Sequence, residues 1–450
     1  MNINKTILNF TIVGVLSGFQ FSYAAVAVDE AAQLSSSLTP LGGEKAGNAD
    51  GTIPEWTGGT AKLPVQGENY IPWEFLSDDQ PIVKINSKNI KQFSDKLSPG
   101  TIALLEKYPD SFYLNVYPTR RTASAPDYVY ENTRDNALNC KLSAAQDSVE
   151  GCFGGIPFPI PKSGLEIIWN YLLRVEATAT EYGFKNLLLL KDSEPTLATR
   201  NDNYWQYPYY YRDGSADKWS GEYFLQRFTT TEPPFKSGES LVIRDSIDPS
   251  EPRRAWQYLL GQRRVRRAPT VGYDTPDFVS SGANYFDEVQ GFFGMPDRYD
   301  WTIVEKRETY IPYNSNGLVT AQIEDAFVAN HLNPAEMRWE LHRTWVVEAT
   351  VKSDKRHAVP KRVFYFDEDS WLLTLLDGYD SEGSLWRTSQ VFPFVVPSVP
   401  VTLVKPVSVY DLQADTVSNV QFLNGETFRI VSNKPETFFT GDAVAAEASR

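Results

Sequence analysis

From about residue 203 onward, side-chain character changes at every second position. Between Arg338 and Ala349, one set of alternate positions is mainly apolar and the other is mainly polar. Successive side chains of a β-strand point to opposite faces, so this pattern predicts a long, half-buried strand. Segments of the same kind, separated by turn-forming residues, are 361–366, 370–376 and 384–395. Many consecutive strands with short turns predict a mainly β (α+β) fold built on a large antiparallel sheet that curls or closes.

Aromatic residues are abundant, with 11 Trp, 24 Tyr and 25 Phe in 450 residues, and such rings favour strands and half-buried faces. Five tryptophans fall on predicted strands, namely Trp301, Trp339, Trp345, Trp371 and Trp386. Core packing explains them most simply, but an apolar lipid cavity would use the same residue types. Exposed rings that stack on sugars are a third interpretation. The five tryptophans are therefore candidate cavity residues, and the sequence alone does not separate these alternatives.

The N-terminus has the three-part pattern of an export signal. Lys5 provides a short positive region, an apolar stretch follows to Phe21, and small residues precede candidate cleavage positions after Ala24 and Ala27. No later stretch approaches the roughly 18 apolar residues that a membrane span needs. We therefore predict a signal peptide over residues 1–27 and a soluble, exported mature protein. The net charge of −14 argues against a nucleic-acid partner.

Cys140 and Cys152 are the only cysteines. In an oxidising compartment a local disulfide is the default for such a pair, and a catalytic thiol is the weaker alternative. A loop this short would contribute about 2–3 kcal/mol in the chain-entropy description of disulfides.

The N-terminal half lacks clear alternation. Residues 28–75 are rich in turn-forming residues and predict an irregular arm laid over another surface. Residues 85–108 look helical with a break at Ser98-Pro99-Gly100, and Ser163 to Leu173 reads as a helix that Ser163 can cap.

The sequence contains no dinucleotide-binding, phosphate-loop, zinc-protease or serine-hydrolase motif. The three histidines, His331, His342 and His357, are scattered, without carboxylates or cysteines at metal-ligand spacing. His342 falls on the polar face of its strand, so we expect it at the surface, and Asp367-Glu368-Asp369 reads as a solvated turn. We expect no enzyme activity, no catalytic residue, no metal and no cofactor.

The segment from Pro252 to Thr270 reverses the acidic character of the chain. It holds six arginines and no acid, and these are Arg253, Arg254, Arg263, Arg264, Arg266 and Arg267. One interpretation pairs them with acidic neighbours such as Glu251 and Asp248. The other is a surface that faces an anion, either a phosphate or carboxylate head group or an acidic protein partner.

Several long strings resemble the family called domain of unknown function 1329, over about residues 38–430. The strings are 38–59, 152–161, 261–270, 297–301, 338–349 and 365–371. The resemblance implies a relationship to the lipoprotein carriers LolA and LolB and to outer-membrane lipoprotein-sorting proteins. It implies a half-open, strongly curved antiparallel sheet closed by a few helices around a hydrophobic cavity, here as one domain over residues 76–440. No catalytic residues carry over from this family.

The leading hypothesis is a periplasmic carrier or chaperone of a lipid or lipidated molecule, working between the inner and outer membranes. The resemblance implies handover from a resistance-nodulation-division-type exporter or to an outer-membrane protein, with transient membrane contact or an outer-membrane association. An envelope scaffold without a ligand is the second hypothesis, and a glycan-binding or glycan-active protein is the third.

Overall fold

A computed structural model describes residues 25–65, 67–73 and 75–448 of the chain. The predicted signal peptide lies almost entirely outside the described residues, so the export signal and its cleavage position stay predictions. Among the described helices, none combines the length and apolarity that crossing a membrane requires.

Strands dominate the described part of the chain. In chain order they are β1 (Val83–Ile85), β2 (Leu114–Val116), β3 (Lys141–Leu142), β4 (Val149–Glu150), β5 (Ala179–Leu190), β6 (Thr196–Gln206), β7 (Glu222–Glu232), β8 (Ser240–Ser246), β9 (Arg253–Leu259), β10 (Arg264–Arg267), β11 (Tyr299–Pro312), β12 (Phe327–Val328), β13 (His331–Leu332), β14 (Trp339–Val351), β15 (Lys361–Asp367), β16 (Leu373–Tyr379), β17 (Leu385–Val396), β18 (Val401–Asp411), β19 (Thr416–Phe422) and β20 (Phe428–Ile430).

One sheet contains 16 of these strands, in the order β1-β2-β14-β15-β16-β17-β18-β19-β5-β6-β7-β8-β9-β10, with β11 beside β14 and β20 beside β5. All of its pairs are antiparallel except a single parallel bridge between β2 and β14. The terminal strands β1 and β10 are not paired with each other in the described structure, so the sheet stays open. The prediction of a large, half-open, mainly antiparallel sheet is confirmed.

Six α-helices accompany the sheet in the described part of the chain: α1 (Val28–Ala31), α2 (Pro99–Lys107), α3 (Asp127–Asn139), α4 (Gly164–Leu172), α5 (Asn316–Thr320) and α6 (Gly441–Ala448). Helix α4 is the predicted one, and the Ser163 side chain caps it by accepting a hydrogen bond from the Glu166 amide. Ser98 likewise caps α2, with Pro99 in its first turn, so the predicted break is a helix start.

The alternating pattern in the sequence starts later than the long strands of the structure do. Strand β5 ends before residue 203 and β6 already begins at Thr196, and the run of four leucines that ends β5 at Leu190 hides its alternation. The predicted strand 370–376 begins only at Leu373, because Trp371 lies in a turn with φ of 61°. Trp371 is therefore not a strand residue.

The sheet curls around the residues that connect β10 to β11. We call residues 268–298 the inner segment. The ring of Phe292 lies 5.8 Å from that of Phe364 on β15, and the ring of Phe293 lies 5.1 Å from that of Phe224 on β7. Strands β15 and β7 are seven steps apart in the sheet, which is about 33 Å in a flat sheet. Two adjacent residues reach both strands, so the sheet must bend around the inner segment.

The curl separates two hydrophobic cores. Phe364 and Phe366 belong to the first core, which includes the buried apolar residues of the inner segment, whereas Tyr365 between them belongs to the second. Side chains alternate across a strand, so the two cores occupy opposite faces of the sheet. Helix α2 contributes Leu104 and Leu105 to the second core.

The predicted disulfide is present between Cys140 and Cys152, with the Cα atoms 4.8 Å apart. Cys140 ends α3 and Cys152 follows β4, so the bond ties the helix to the small β3–β4 hairpin.

Candidate functional site

Polar side chains are gathered inside the curl of the sheet, within the first core. We call this group the interior polar cluster. Two members follow α4, three lie on or beside β5 and β6, one belongs to the inner segment and one lies on β18. In chain order they are Arg174, Glu176, Tyr182, Trp205, Tyr207, Gln290 and Lys405, and all are buried.

Lys405 lies in an aromatic box. Its Nζ is 3.9 Å from the ring centroid of Trp205 and 4.8 Å from that of Tyr182, and only 1% of the residue is exposed. Burial lowers the pKa of Lys405 to about 7, with Arg174 acting in the same direction and Glu176 opposing it. Among the described residues, no carboxylate lies within ion-pair distance of its Nζ.

Arg174 links α4 to the inner segment. Its Nε lies 3.0 Å from Glu176 Oε1, and its other nitrogens donate to the Tyr171 carbonyl, at 3.0 Å, and to the Gln290 side chain. Two cations, Arg174 and Lys405, therefore face the single carboxylate of Glu176. With Lys405 protonated, the cluster has one positive charge in excess.

Apart from Arg174 Nε and Glu176 Oε1, which face each other in the ion pair, four polar atoms of the cluster have no hydrogen-bond partner within the described structure. They are Tyr182 Oη, Trp205 Nε1, Tyr207 Oη and Gln290 Nε2. Burial raises the pKa of Tyr182 and of Tyr207 well above the usual value, so both hydroxyls keep their protons. Buried polar groups are normally paired, and several unpaired ones together are a signature of a site that hydrogen-bonds something other than the protein.

The walls around these atoms are apolar. The Phe224 ring packs edge to face with the Trp205 ring, with centroids 5.2 Å apart. The Phe428 ring stacks on the Tyr182 ring, with centroids 5.3 Å apart. Tyr182 also lines an open surface cleft of about 570 Å³, together with Arg200, Phe228 and other residues. The arrangement suits a molecule with an apolar body and an anionic, hydrogen-bonding end.

The five predicted tryptophans do not lie together, and none belongs to the interior polar cluster. Trp371 is fully buried in the first core, and Trp345 stacks on it with centroids 6.4 Å apart. Trp301 is half-buried against the same core, whereas Trp339 is fully buried in the second. Trp386 is half-buried, and its indole N–H donates to Asp411 at 3.1 Å. Whether any of them contacts a ligand stays a prediction.

The six arginines of the basic segment divide into two groups. Arg253 makes a two-fold ion pair with the buried Asp245, both distances being 2.6 Å, and Arg254 pairs with Glu222. The predicted partners Glu251 and Asp248 are not used. The other four, Arg263, Arg264, Arg266 and Arg267, are exposed and have no ion pair within the described residues. We call them the arginine hairpin; three lie on β10, an end strand of the sheet, and Arg263 immediately precedes it.

A second group of buried charges lies beneath the N-terminal arm. We call it the arm-side ionic cluster, and it consists of Arg121, Glu340, His342, Arg343, Asp367, Glu368 and Asp369. Arg121 pairs with both oxygens of Asp369, at 2.8 and 2.6 Å, and Arg343 pairs with Glu368 at 3.0 Å. The Arg343–Glu368 pair joins two of the strings that resemble the family, 338–349 and 365–371.

The same arginines hold the arm. Arg121 donates to the carbonyl oxygens of Glu44, Lys45 and Pro54 at 2.6, 3.1 and 3.2 Å. Arg343 donates to the Ala46 carbonyl at 3.0 Å. Four backbone carbonyls of the irregular arm are therefore bound by buried guanidinium groups.

Two expectations about this region are wrong. His342 is buried, with Nε2 3.1 Å from Glu340 Oε2 and its ring 3.9 Å from that of Tyr313. The acidic run Asp367 to Asp369 is also buried. Alternation identifies the polar face of a strand, but it does not show whether another segment covers that face. The His357 side chain is likewise buried, with Nε2 2.9 Å from Asp287 Oδ2.

Burial sets the proton affinities within this cluster. It raises the pKa of Asp367 to about 6, and the neighbouring Asp369 carboxylate adds to the effect. Burial alone would lower the pKa of His342, but the hydrogen bond to Glu340 and the charge of Asp367 outweigh it, so the pKa is raised.

Comparisons with known sequences find a matching family and a relative. The sequence profile of the family described as "Protein of unknown function (DUF1329)" matches residues 84–445. An uncharacterized protein of Pseudomonas aeruginosa, PA3922, is 40% identical over 376 residues, which is 82% of this chain and 81% of that protein.

Solved structures are more distant. A domain of Vibrio parahaemolyticus described as an outer membrane lipoprotein-sorting protein is 13% identical, with a TM-score of 0.43, and covers 63% of this chain and 98% of its own. A DUF1329 family protein from Desulfovibrio piger is 12% identical, with a TM-score of 0.41, and covers 60% and 92%. A LolA superfamily protein from Nitrosomonas europaea is 12% identical, with a TM-score of 0.36, and covers 63% and 100%.

Proposed function

The chain belongs to the DUF1329 family, and we propose that it is a non-enzymatic carrier that holds a lipid or lipidated molecule inside its curled sheet. The observation that carries the proposal is the interior polar cluster, in which four unpaired polar atoms and an excess cation lie inside an aromatic wall. An amphipathic molecule with a phosphate or carboxylate end complements both parts. Lys405 and Arg174 would meet the anion, and the surrounding rings would meet the acyl chain.

The energy of such binding is adequate. Burial of an acyl chain contributes about 0.8 kcal/mol per CH₂, so twelve carbons supply roughly 10 kcal/mol before entropic costs. The first core is filled by the inner segment, whose rings Phe292 and Phe293 occupy the space within the curl. Cargo would therefore enter by displacing part of the inner segment, which Asp287 and Glu288 hold through ion pairs with Arg362 and Arg387.

The export signal and the disulfide favour the periplasm as the place of action. There the arginine hairpin would face an anionic membrane surface or an acidic docking partner, since four exposed guanidinium groups attract anions. A resistance-nodulation-division-type exporter or an outer-membrane protein as the donor or acceptor is part of the same proposal.

The test compares two lipids with one acyl chain each. Lysophosphatidylglycerol is anionic and lysophosphatidylcholine is zwitterionic, so their difference reports the head group alone. Each displaces a fluorescent fatty acid from the untagged mature protein in a titration. We expect saturable displacement by both lipids and at least a tenfold preference for the anionic one.

Two variants test whether Lys405 causes the preference for the anionic lipid. Lys405→Met should abolish the preference for the anionic lipid while acyl binding persists. The matched control is Lys84→Met, because Lys84 also lies over a ring, that of Tyr113 at 3.3 Å, but is exposed on β1. No saturable uptake by the wild type would favour the scaffold hypothesis. An unchanged preference in Lys405→Met would refute the assignment of the head-group site.

A further inference from the structure

One carboxylate of the arm-side ionic cluster differs from the others. Asp369 has Arg121, Glu368 has Arg343, and Glu340 has Arg338, whose Nε lies 2.6 Å from Oε1. Asp367 has no arginine or lysine partner in the part of the chain that the structure describes. Its Oδ2 accepts hydrogen bonds from Tyr313 and Ser370, but its Oδ1 has no partner among the described groups, although the residue is completely buried.

The unpaired oxygen points at an imidazole nitrogen. Asp367 Oδ1 lies 3.6 Å from His342 Nδ1. That distance is longer than a normal hydrogen bond, which spans about 2.7–3.2 Å. Two donor atoms that bind one Zn²⁺ at about 2.1 Å each lie roughly 3.4 Å apart at a tetrahedral angle. The separation of Oδ1 and Nδ1 thus suits two ligands of a common cation better than a direct hydrogen bond.

The other nitrogen of the ring is arranged as metal sites require. His342 Nε2 lies 3.1 Å from Glu340 Oε2, so it can donate its proton there and leave Nδ1 with a free lone pair. Metal-binding histidines commonly donate their second N–H to a carboxylate, which fixes the ring and its tautomer. Glu340 itself is held by Arg338 and by the Asn314 side chain, at 2.6 and 2.8 Å.

We propose that His342 Nδ1, Asp367 Oδ1 and an oxygen of Asp369 bind a divalent transition-metal cation, Zn²⁺ being the first candidate. The candidate ligand atoms of these three residues all lie within 4.8 Å of one another. Asp369 also pairs with Arg121, but each carboxylate oxygen has two lone pairs, so it can serve both. One imidazole with carboxylates favours Zn²⁺ or a similar transition metal over Ca²⁺, which prefers oxygen ligands alone.

The proposal is independent of the carrier function. A cation at this position would join β14 to the turn that follows β15, directly beneath the arm. Of the two arginines that hold the arm, Arg121 pairs with the proposed ligand Asp369, and Arg343 pairs with Glu368, which lies between the two aspartates in the chain. The bound metal would therefore act as a structural support for the arm.

The test uses untagged protein that is freed of metal with a chelator and then refolded with or without Zn²⁺, because the site is buried. Native mass spectrometry should find one Zn²⁺ per chain, and X-ray absorption at the zinc edge should find one imidazole ligand together with carboxylate oxygens. Excess Ca²⁺ should not displace the metal. Absence of retained Zn²⁺, or a zinc environment without imidazole, would overturn the proposal.

Variants locate the metal in the chain. His342→Gln and Asp367→Asn should each weaken Zn²⁺ binding at least 100-fold. His331→Gln should leave it within threefold, because His331 is also buried but bonds Ser111 and a backbone carbonyl instead. Equal binding by all three variants would place the metal elsewhere. If the variants do not fold, anomalous scattering from crystals of the zinc-loaded wild type decides, since a peak away from His342 contradicts the proposal.

Discussion

The arm-side ionic cluster and the interior polar cluster are both buried, yet they treat their charges differently. Beneath the arm, Arg121 and Arg343 are paired with carboxylates and use their remaining N–H groups on arm carbonyls. Inside the curl, Lys405 has no carboxylate within ion-pair distance in the described structure, and four polar atoms beside it are unpaired.

This difference distinguishes a structural role for the arm-side ionic cluster from a ligand-binding role for the interior polar cluster. Buried charges that are already paired hold a segment in place, and they need no ligand to satisfy their hydrogen bonds. Unpaired ones destabilise the folded protein until a ligand supplies the missing partner. Unpaired polar groups that remain in a core despite this cost indicate a role other than stability. Four predictions test whether the two clusters behave in these opposite ways.

The largest loss of stability is expected for Arg121→Met. It would leave Asp369 buried without its partner and free three arm carbonyls, so the free energy of unfolding should fall by about 3–5 kcal/mol. Denaturant unfolding gives the loss, and limited proteolysis should show earlier cleavage in residues 44–59. The neighbouring Arg120→Met is the control, since Arg120 is 48% exposed and pairs with Asp79 at the surface, where loss costs about 1 kcal/mol or less. Equal losses for both would remove the distinction.

Lys405→Met should act in the opposite direction. The unfolded chain keeps the Lys405 proton up to about pH 10.5, whereas the folded protein releases it above about pH 7. Burial of the charge thus opposes folding fully below pH 7, and the penalty fades as the pH rises toward 10.5. At about 1.4 kcal/mol per pKa unit, less the lost ring contacts, the variant should be more stable by about 3 kcal/mol at pH 6.

Denaturant unfolding of the Lys405 variant and of the wild type at pH 6, 8 and 10 measures the difference in their free energies of unfolding. The two stability curves should converge as the pH rises. A constant difference, or a less stable variant at pH 6, would show that Lys405 is satisfied in the folded protein.

Two tyrosines give a matched comparison of single hydroxyl groups. Tyr182 and Tyr313 are both buried, but the Tyr182 hydroxyl is unpaired whereas that of Tyr313 donates to Asp367 at 3.1 Å. Tyr182→Phe should be neutral or stabilising by about 1 kcal/mol, and Tyr313→Phe should destabilise by about 1–2 kcal/mol. The shift of the denaturant midpoint at constant slope checks both. Changes of the same sign would contradict the contrast between the clusters.

The smallest effect on stability is expected at the arginine hairpin, which extends the comparison to exposed charges. Changing Arg263, Arg264, Arg266 and Arg267 to Gln should alter stability by no more than about 0.5 kcal/mol each. Binding to phosphatidylglycerol vesicles should nevertheless weaken roughly 1,000-fold, because each basic residue near an anionic surface contributes about 1 kcal/mol.

The control for the hairpin removes the same charge elsewhere. Changing the exposed lysines Lys62, Lys84, Lys88 and Lys91 to Gln lowers the net charge equally, and vesicle flotation compares the two variants. Equal weakening would mean that overall charge, rather than the hairpin, attracts the membrane.

Features that depend on neighbours in the sequence were predictable. Alternation locates the strand that begins at Trp339, the serine cap locates the start of α4, and the single cysteine pair gives the disulfide. The family resemblance is confirmed over most of the chain.

The candidate sites were not predictable in this way. Arg174, Gln290 and Lys405 are far apart in the sequence, and only the curl brings them together. Gln290 lies in an irregular segment that has no periodicity to interpret. His342 was assigned to the surface because alternation shows which face a residue occupies and not what covers that face. Trp205 is the partial exception, since it lies where the alternating pattern starts.

The pairing of β5 with β19 has a consequence for how the protein reaches its fold. These strands join an early meander, β5 to β10, to a late one, β14 to β19, and Leu190 pairs with Thr416, more than two hundred residues later in the chain. While the chain is made from its N-terminus, the edge of β5 must wait for a partner that emerges near the end. An exposed strand edge invites pairing with other chains, and such distant contacts form slowly. The interval before β19 arrives is thus when the nascent chain most needs protection from aggregation.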